Sequence, residues 1–403
     1  MKLSRTIILL ALACSAAAGT AVASELSDQE QLGKKIFFDA ALSIYGNQSC
    51  ASCHNPAAGW TGAESWVNAG TVVYEGSIPG SFGNRKPPSS AYATTSPIFH
   101  LDKKGLFVGG NFWDGRATGE TLGNPAAEQA QGPFLNPLEQ ALGSASEVIN
   151  IICSSNSGYA TLFQNVCGAE ACDPANVTTA YDCVGLSVAA YEGSSESNAF
   201  SSKFDAYLKG KSEFTPSERQ GYNLFLGKGK CVKCHTINTN DKKGPSLFTD
   251  YTFDNLGIPR YEANPFYLAA HEYNPDGADW VDPGLAAFLA SRPEYAALAA
   301  ANLGKHKVPT LRNVDMRPDP AFIKAYGHNG YFKSLKEIVH FYNTRDVLPT
   351  CNPGDAGEKV SCWPAPEVPQ NMNTAELGNL GLSDAQENAL VDFMKTLTDG
   401  YQK

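Results

Sequence analysis

Cys50-Ala-Ser-Cys53-His54 and Cys231-Val-Lys-Cys234-His235 are two copies of one five-residue pattern, C-x-x-C-H. The pattern suits covalent haem attachment: two thiols add across the two vinyl groups of a haem, and the adjacent histidine swings under the iron as its proximal ligand. A thioredoxin-like redox pair or part of a zinc site would also use C-x-x-C. Either could explain one copy, whereas two in one chain of 403 residues point to two covalently bound haem c groups. Cys50, Cys53, Cys231 and Cys234 are then the attachment residues, and His54 and His235 the iron ligands.

Working outward, each motif is preceded by the same spaced triplet. Glu30-x-x-Gly33-x-x-x-Phe37 leads into the first and Glu218-x-x-Gly221-x-x-x-Phe225 into the second. Both stretches read as a helix entering a haem site, so the pattern is one of duplication. Further helices are predicted over Ala145–Ile152, Val177–Glu192, Gly284–Leu303, Leu335–Tyr342 and Ser383–Thr398. Strand signals are few, and Gly and Pro are frequent between helices. The predicted fold is mainly α: two cytochrome c-like haem domains with long loops. The junction falls in the Lys/Ser/Gly-rich stretch Gly210–Ser217, giving domains over 24–214 and 215–403.

Lys2 and Arg5, the apolar run Ile7 to Ala13 and the small residues Ala21-Val22-Ala23 follow the order of a secretory signal peptide. An uncleaved anchor is the alternative, but the second half of this stretch is Ala, Gly, Ser and Thr, weakly apolar for a span. A lipoprotein site at Cys14 is disfavoured by Ala11, where a larger aliphatic belongs. Residues 1–23 are therefore expected to be removed, leaving a periplasmic or surface-exported chain with no later membrane span. The formal charge of −10 becomes −12 once Lys2 and Arg5 leave with the leader. Such a surface repels nucleic acid and suits a basic or dipolar protein partner.

Eleven cysteines need sorting. Cys14 goes with the leader and four serve the haems. The remaining Cys153, Cys167, Cys172, Cys183, Cys351 and Cys362 suggest three disulfides in an oxidising compartment. Cys351 and Cys362 share one Pro/Gly-rich loop and are expected to pair; the other four allow three pairings.

Beyond the haem motifs, Phe112-Trp113-Asp114-Gly115-Arg116, Glu128-Gln129-Ala130-x-Gly132-Pro133, Asn136-Pro137-x-Glu139, Val308-Pro309-Thr310-Leu311-Arg312-Asn313 and His328-Asn329-Gly330 occur in this order. In these features the chain resembles the di-haem cytochrome c peroxidase and MauG superfamily over nearly all its mature length. The resemblance implies that Trp113 lies between the haems and carries electrons or holes. It also implies that Gln129, Pro133 and Glu139 line the open face of the first haem. Peroxide heterolysis needs a proton moved from the inner to the outer oxygen, a task that suits the Glu139 carboxyl.

Two departures from the peroxidase pattern stand out. Many of these enzymes have a loop histidine that blocks the first iron until the second is reduced. Here no histidine lies between His54 and His100, and His100 is outside the usual loop, so the first haem is expected to be open in the resting state. The second iron's sixth ligand is a methionine fourteen residues after the H-x-G histidine; counting from His328 gives Tyr342, as in MauG-like proteins. Tyrosinate is an anionic oxygen donor that favours oxidised iron and lowers the potential, where methionine does the reverse. Rivals are His340, about 200° round the helix from Tyr342, and Met316, Met372 and Met394. His328 is expected to serve beside the haem, as a propionate partner, rather than as a ligand.

The resemblance also implies a calcium ion between the domains, held by an Asn and backbone carbonyls. The Asn position is Lys86 here, and the usual Thr-x-Pro is Ile323-Lys324-Ala325, a charge change that disfavours calcium. Three functions then compete. One is a peroxidase taking electrons from a small c-type cytochrome or similar redox protein to reduce hydrogen peroxide. A second is a MauG-type oxidase that modifies a protein substrate. The third is a plain electron carrier. Glu139 and the open first iron argue against the carrier; Tyr342 and the missing histidine lean toward MauG-type chemistry.

Overall fold

The computed structural model describes residues 25–154, 156–238 and 244–402; the expected leader and Cys14 lie outside the described residues. The fold is mainly helical. Among the described residues, strands occur only as three two-stranded ladders, two antiparallel and one parallel.

The repeated triplet acquires a physical meaning in the helices Asp28–Phe38 and Pro216–Leu226. Each opens with a capping box. Ser27 and Thr215 accept from the backbone N–H of Glu30 and Glu218, whose carboxylates accept from the cap residues in return. These reciprocal bonds satisfy amides that no helical carbonyl can reach. The glycine of each triplet marks a helix crossing. Helix Asp28–Phe38 packs on Val177–Gly193, and Pro216–Leu226 packs on Asp384–Lys395. A Cβ at Gly33 would lie 1.8 Å from the Ser187 carbonyl oxygen, and one at Gly221 would lie 1.9 Å from that of Ala389. Only glycine lets the backbones approach so closely. The phenylalanines, Phe37 and Phe225, are fully buried in the two principal cores.

The first core gathers Leu32, Ile36 and Phe37 with Phe134, Val184, Val188 and Tyr191. The second gathers Phe225 with Phe204, Phe248, Phe341, Leu390 and Phe393. Phe204 sits on helix Lys203–Leu208, so chain upstream of the expected junction already packs into the second core. A third cluster joins the two parts of the chain through Phe99 and Phe107 against Phe253, Leu285 and Leu289.

The helices expected near 145, 177, 335 and 383 run Ala145–Cys153, Val177–Gly193, Leu335–Thr344 and Asp384–Lys395. The single helix expected over Gly284–Leu303 is a correction. Its α-helical part is Leu285–Ser291, followed by short 3-10 turns at Ala296–Leu298 and Ala300–Asn302. Pro293 supplies the reason: it has no N–H to continue the ladder and drives the preceding Arg292 into extended backbone. Cys351 pairs with Cys362 as expected, and the other four pair as Cys153–Cys172 and Cys167–Cys183. These two interleaved links pin the helices around the first core.

Replacing Gly221 by alanine should force its helix off Asp384–Lys395 and cost about 1–3 kcal/mol, the usual range for overpacking. Chemical denaturation of the holoprotein measures this, and unchanged stability would show that the crossing can slide apart.

Candidate active site

Cys50, Cys53, Cys231 and Cys234 remain free thiols while the other six described cysteines are paired. Each thiol pair opens onto a cavity. Cys50, Cys53 and His54 line one; Cys231, Cys234 and His235 line a larger, more apolar one. Burial pushes the Cys50 and Cys231 thiols up to about 12, so neither behaves like the acidic thiol of a redox pair.

The histidines are oriented alike. His54 Nδ1 lies 3.2 Å from the Trp60 carbonyl oxygen, and His235 Nδ1 lies 2.8 Å from that of Phe248. A carbonyl can only accept, so Nδ1 carries the proton in each ring and Nε2 keeps its lone pair for a metal. Burial pushes His54 down to about 4 and lowers His235 as well, which keeps both rings neutral. Paired free thiols beside a neutral imidazole, at the wall of a cavity, fit a covalently attached haem.

The first cavity also receives Gln129, Pro133 and Glu139. Gln129 and Pro133 share one face of helix Pro125–Leu135, one turn apart. Asn124 caps this helix, and the Glu128 carboxylate takes three amides of the preceding loop, from Gly119, Thr121 and Leu122. Glu139 follows in a turn closed by its own amide on the Asn136 carbonyl. Burial raises its carboxyl, opposed by Arg116 and a bond from Asn136. Among the described residues, His54 is the sole histidine lining this cavity, and no methionine lines it. The Tyr74 hydroxyl, a possible rival donor there, accepts the Glu64 amide at 2.7 Å. His100 is exposed, with Nδ1 turned to the Ile98 carbonyl.

Trp113 reaches both cavities. Its indole N–H donates to the Lys86 carbonyl at 2.7 Å, and its own carbonyl accepts from the Lys307 amide at 2.8 Å. The ring is therefore held from both sides of the junction. Around it, Arg85 bonds both Asp282 oxygens and reaches Asp114, which also takes Arg116.

Tyr342 lines the second cavity from helix Leu335–Thr344, and its hydroxyl makes no hydrogen bond among the described residues. Burial, then the neighbouring Cys234 and Cys231, push its phenol above the ordinary range, so only a metal cation's charge would ionise it. His340 turns the other way, with Nδ1 on Glu387 at 3.0 Å and Nε2 on the Val360 carbonyl at 3.1 Å. Met394 lines this cavity from helix Asp384–Lys395, whereas Met316 and Met372 do not.

Glu192 and His306 carried no motif signal, whereas His328 was expected beside the haem. Glu192 lines the first cavity with a buried, unpartnered carboxylate oxygen, and burial pushes it up to about 8, so it keeps its proton at neutral pH. His306 and His328 stack at 3.6 Å on the second cavity's wall; His306 Nε2 lies 3.2 Å from Asp282 Oδ2, and His328 Nε2 has no hydrogen-bond partner among the described residues. With Asp282 they bring three potential ligand atoms within 4.8 Å. Arg85 already holds both Asp282 oxygens, so the pair fits hydrogen bonding to haem propionates better than metal binding.

Comparison with known proteins follows the same lines. The family model for di-haem cytochrome c peroxidase matches residues 27–213. The chain is 36% identical to methylamine utilization protein MauG of Paracoccus denitrificans, covering 97% of this chain and 96% of that protein. It is 29% identical to cytochrome c551 peroxidase of Nitrosomonas europaea over 79% of this chain and 74% of that one. The diheme peroxidase BthA of Burkholderia thailandensis superposes with a TM-score of 0.76 at 30% identity, covering 94% of this chain and 88% of that one.

Burial would raise the Asp114 and Asp282 carboxyls, but Arg85 outweighs it and holds both below their ordinary range. Their pairing therefore stabilises the fold above the unfolded aspartate pKa of about 3.9, and the contribution is lost as pH falls through the lowered values. Replacing Arg85 by methionine at pH 7 leaves two buried carboxylates underpaired and should cost about 3–5 kcal/mol. Urea unfolding of the holoprotein at several pH values measures this; the deficit should shrink in acid.

Proposed function

The chain belongs to the di-haem cytochrome c peroxidase family, and on that footing we propose that it binds one covalent haem c in each cavity and reduces hydrogen peroxide at the first. The observation that carries this reading is the asymmetry of the cavities. The face carrying Gln129, Pro133 and Glu139 offers no imidazole or thioether to the iron, while the second cavity presents Tyr342. One haem is thus left open for substrate and the other closed for electron transfer.

When bound, the haems would supply the redox chemistry by which peroxide is reduced. Glu139 takes the proton from the inner peroxide oxygen and returns it to the outer oxygen as the O–O bond breaks. With two electrons and two further protons, one peroxide yields two waters. Gln129 orients the peroxide by its amide, and Pro133 keeps that face of the helix apolar. Trp113 relays electrons between the haems, which arrive from a small redox protein such as a c-type cytochrome. Domains over 24–214 and 215–403 hold one haem each, and removal of residues 1–23 accompanies export to the periplasm or cell surface. No described helix is long and apolar enough to cross a membrane.

A second reading draws on Tyr342. Tyr342 would offer an anionic oxygen ligand, which favours oxidised iron, and a haem held there would supply the oxidising chemistry of a MauG-type oxidase toward a partner protein.

Glu139→Gln should leave both haems attached and slow the peroxide reaction about 10²- to 10⁴-fold, the scale of one general acid–base group. Stopped-flow spectroscopy measures the rate, and an unchanged rate removes Glu139 from the mechanism. Tyr342→Met should raise the second haem's midpoint potential by on the order of 100 mV, since axial ligands span about 0.8 V. No change in spectroelectrochemical titration would assign the ligand elsewhere, with Met394 the first alternative.

A further inference from the structure

Two lysines, each more than nine-tenths buried, meet where the two parts of the chain join. Lys324 Nζ donates to the carbonyls of Ala58 and Met316 at 2.7 Å and to that of Asn313 at 3.4 Å. Ala58 follows the first haem motif, whereas Asn313 and Met316 come from the second part of the chain. Lys86 Nζ donates to the Thr61 hydroxyl at 2.7 Å and the Pro87 carbonyl at 2.9 Å. Neither ammonium forms an ion pair among the described residues. A buried cation without a counter-ion is costly unless dipoles solvate it, and here backbone carbonyls and a hydroxyl do so. This is the coordination a hard metal ion would take.

The residues do not fit a calcium ion. An ammonium stands where an oxygen ligand would be needed at Lys86. Lys324 Nζ already draws the Ala58 and Met316 carbonyls onto itself at 2.7 Å, so these oxygens face an amine rather than an open site. Burial pushes both lysines down to about 7, and for Lys324 the Lys86 charge adds to the effect. A divalent ion entering here would meet that same repulsion.

We infer that the Lys86 and Lys324 amino groups occupy this seam in place of a bound calcium ion and position the residues that link the two haem cavities. The Lys86 main chain makes that link. Its N–H donates to the His328 carbonyl at 2.9 Å, and its carbonyl accepts from the Trp113 indole at 2.7 Å. Its side chain is anchored on Thr61, next to Trp60, whose carbonyl fixes the His54 ring. One residue thereby ties the first haem's histidine loop, the bridging tryptophan and the wall of the second cavity. Both lysines are positioning residues.

The inference rests on the proposal that the first cavity holds a haem, but its first test does not. Purified holoprotein is equilibrated with calcium chloride, gel-filtered and analysed by plasma mass spectrometry. Calcium should stay far below one ion per chain; one retained ion per chain would overturn the inference whatever the haem content. The second test measures both midpoint potentials in Lys86→Met, with haem content checked by pyridine haemochrome. At pH 6, where Lys86 is mostly protonated, removing its charge beside the first haem should lower that haem's potential, and EGTA should leave the parent's potentials unchanged. A first-haem potential that does not move in the variant would show that Lys86 carries no charge there and would overturn the inference; the calcium analysis of the parent decides the matter if the variant does not fold.

Discussion

The histidine of each C-x-x-C-H motif is oriented by a hydrogen bond from Nδ1 to a backbone carbonyl, of Trp60 in one cavity and Phe248 in the other. That bond fixes which nitrogen is protonated, and so which nitrogen can meet a metal. Everything around it serves to keep the carbonyl and the ring in register. Trp60 packs edge-on against Phe37 and Tyr191, and Phe248 packs against Phe204 and Phe225. The aromatic at the end of each repeated triplet thus stands directly behind the carbonyl that orients the histidine. The triplet's glycine brings the supporting helix close enough for this packing to form.

The two cavities share that proximal architecture and part company on the opposite side. At the first, a helix with proline in its last turn and the turn after it bring an amide and a carboxyl to one face. At the second, helix Leu335–Thr344 brings a phenol. Peroxide chemistry needs a proton-handling group at an open site, and electron storage needs a closed one. The proposed division of labour follows from which residues face which cavity. Trp113 joins them because both its indole and its carbonyl are pinned, by Lys86 and Lys307.

Much of this was legible in the sequence. The C-x-x-C-H pairs, the repeated triplet and the spacing from His328 to Tyr342 are local patterns, and local patterns survive being read one residue at a time. The Cys351–Cys362 link was legible for the same reason. Other features were hidden by the same logic. Helix Pro125–Leu135 continues past Pro133, a residue that ordinarily reads as a helix end because it lacks an N–H, while Pro293 broke a helix that periodicity alone extended to Leu303. The Arg85–Asp114–Asp282 pairing, the His306–His328 stack and the Lys86–Lys324 seam are assembled from segments far apart in the chain. No spacing rule announces them; Glu192 gave no sign because a lone glutamate on a helix ordinarily faces solvent.

In the proposed resting oxidised protein, one haem is open and the other is closed by an oxygen ligand. Electron paramagnetic resonance of the ferric holoprotein, recorded before and after one equivalent of hydrogen peroxide, tests this arrangement most directly. One high-spin and one low-spin signal are expected, both lost together when peroxide is added. Two low-spin signals that ignore peroxide would contradict it and leave an enzyme that must first be reduced, or an electron carrier.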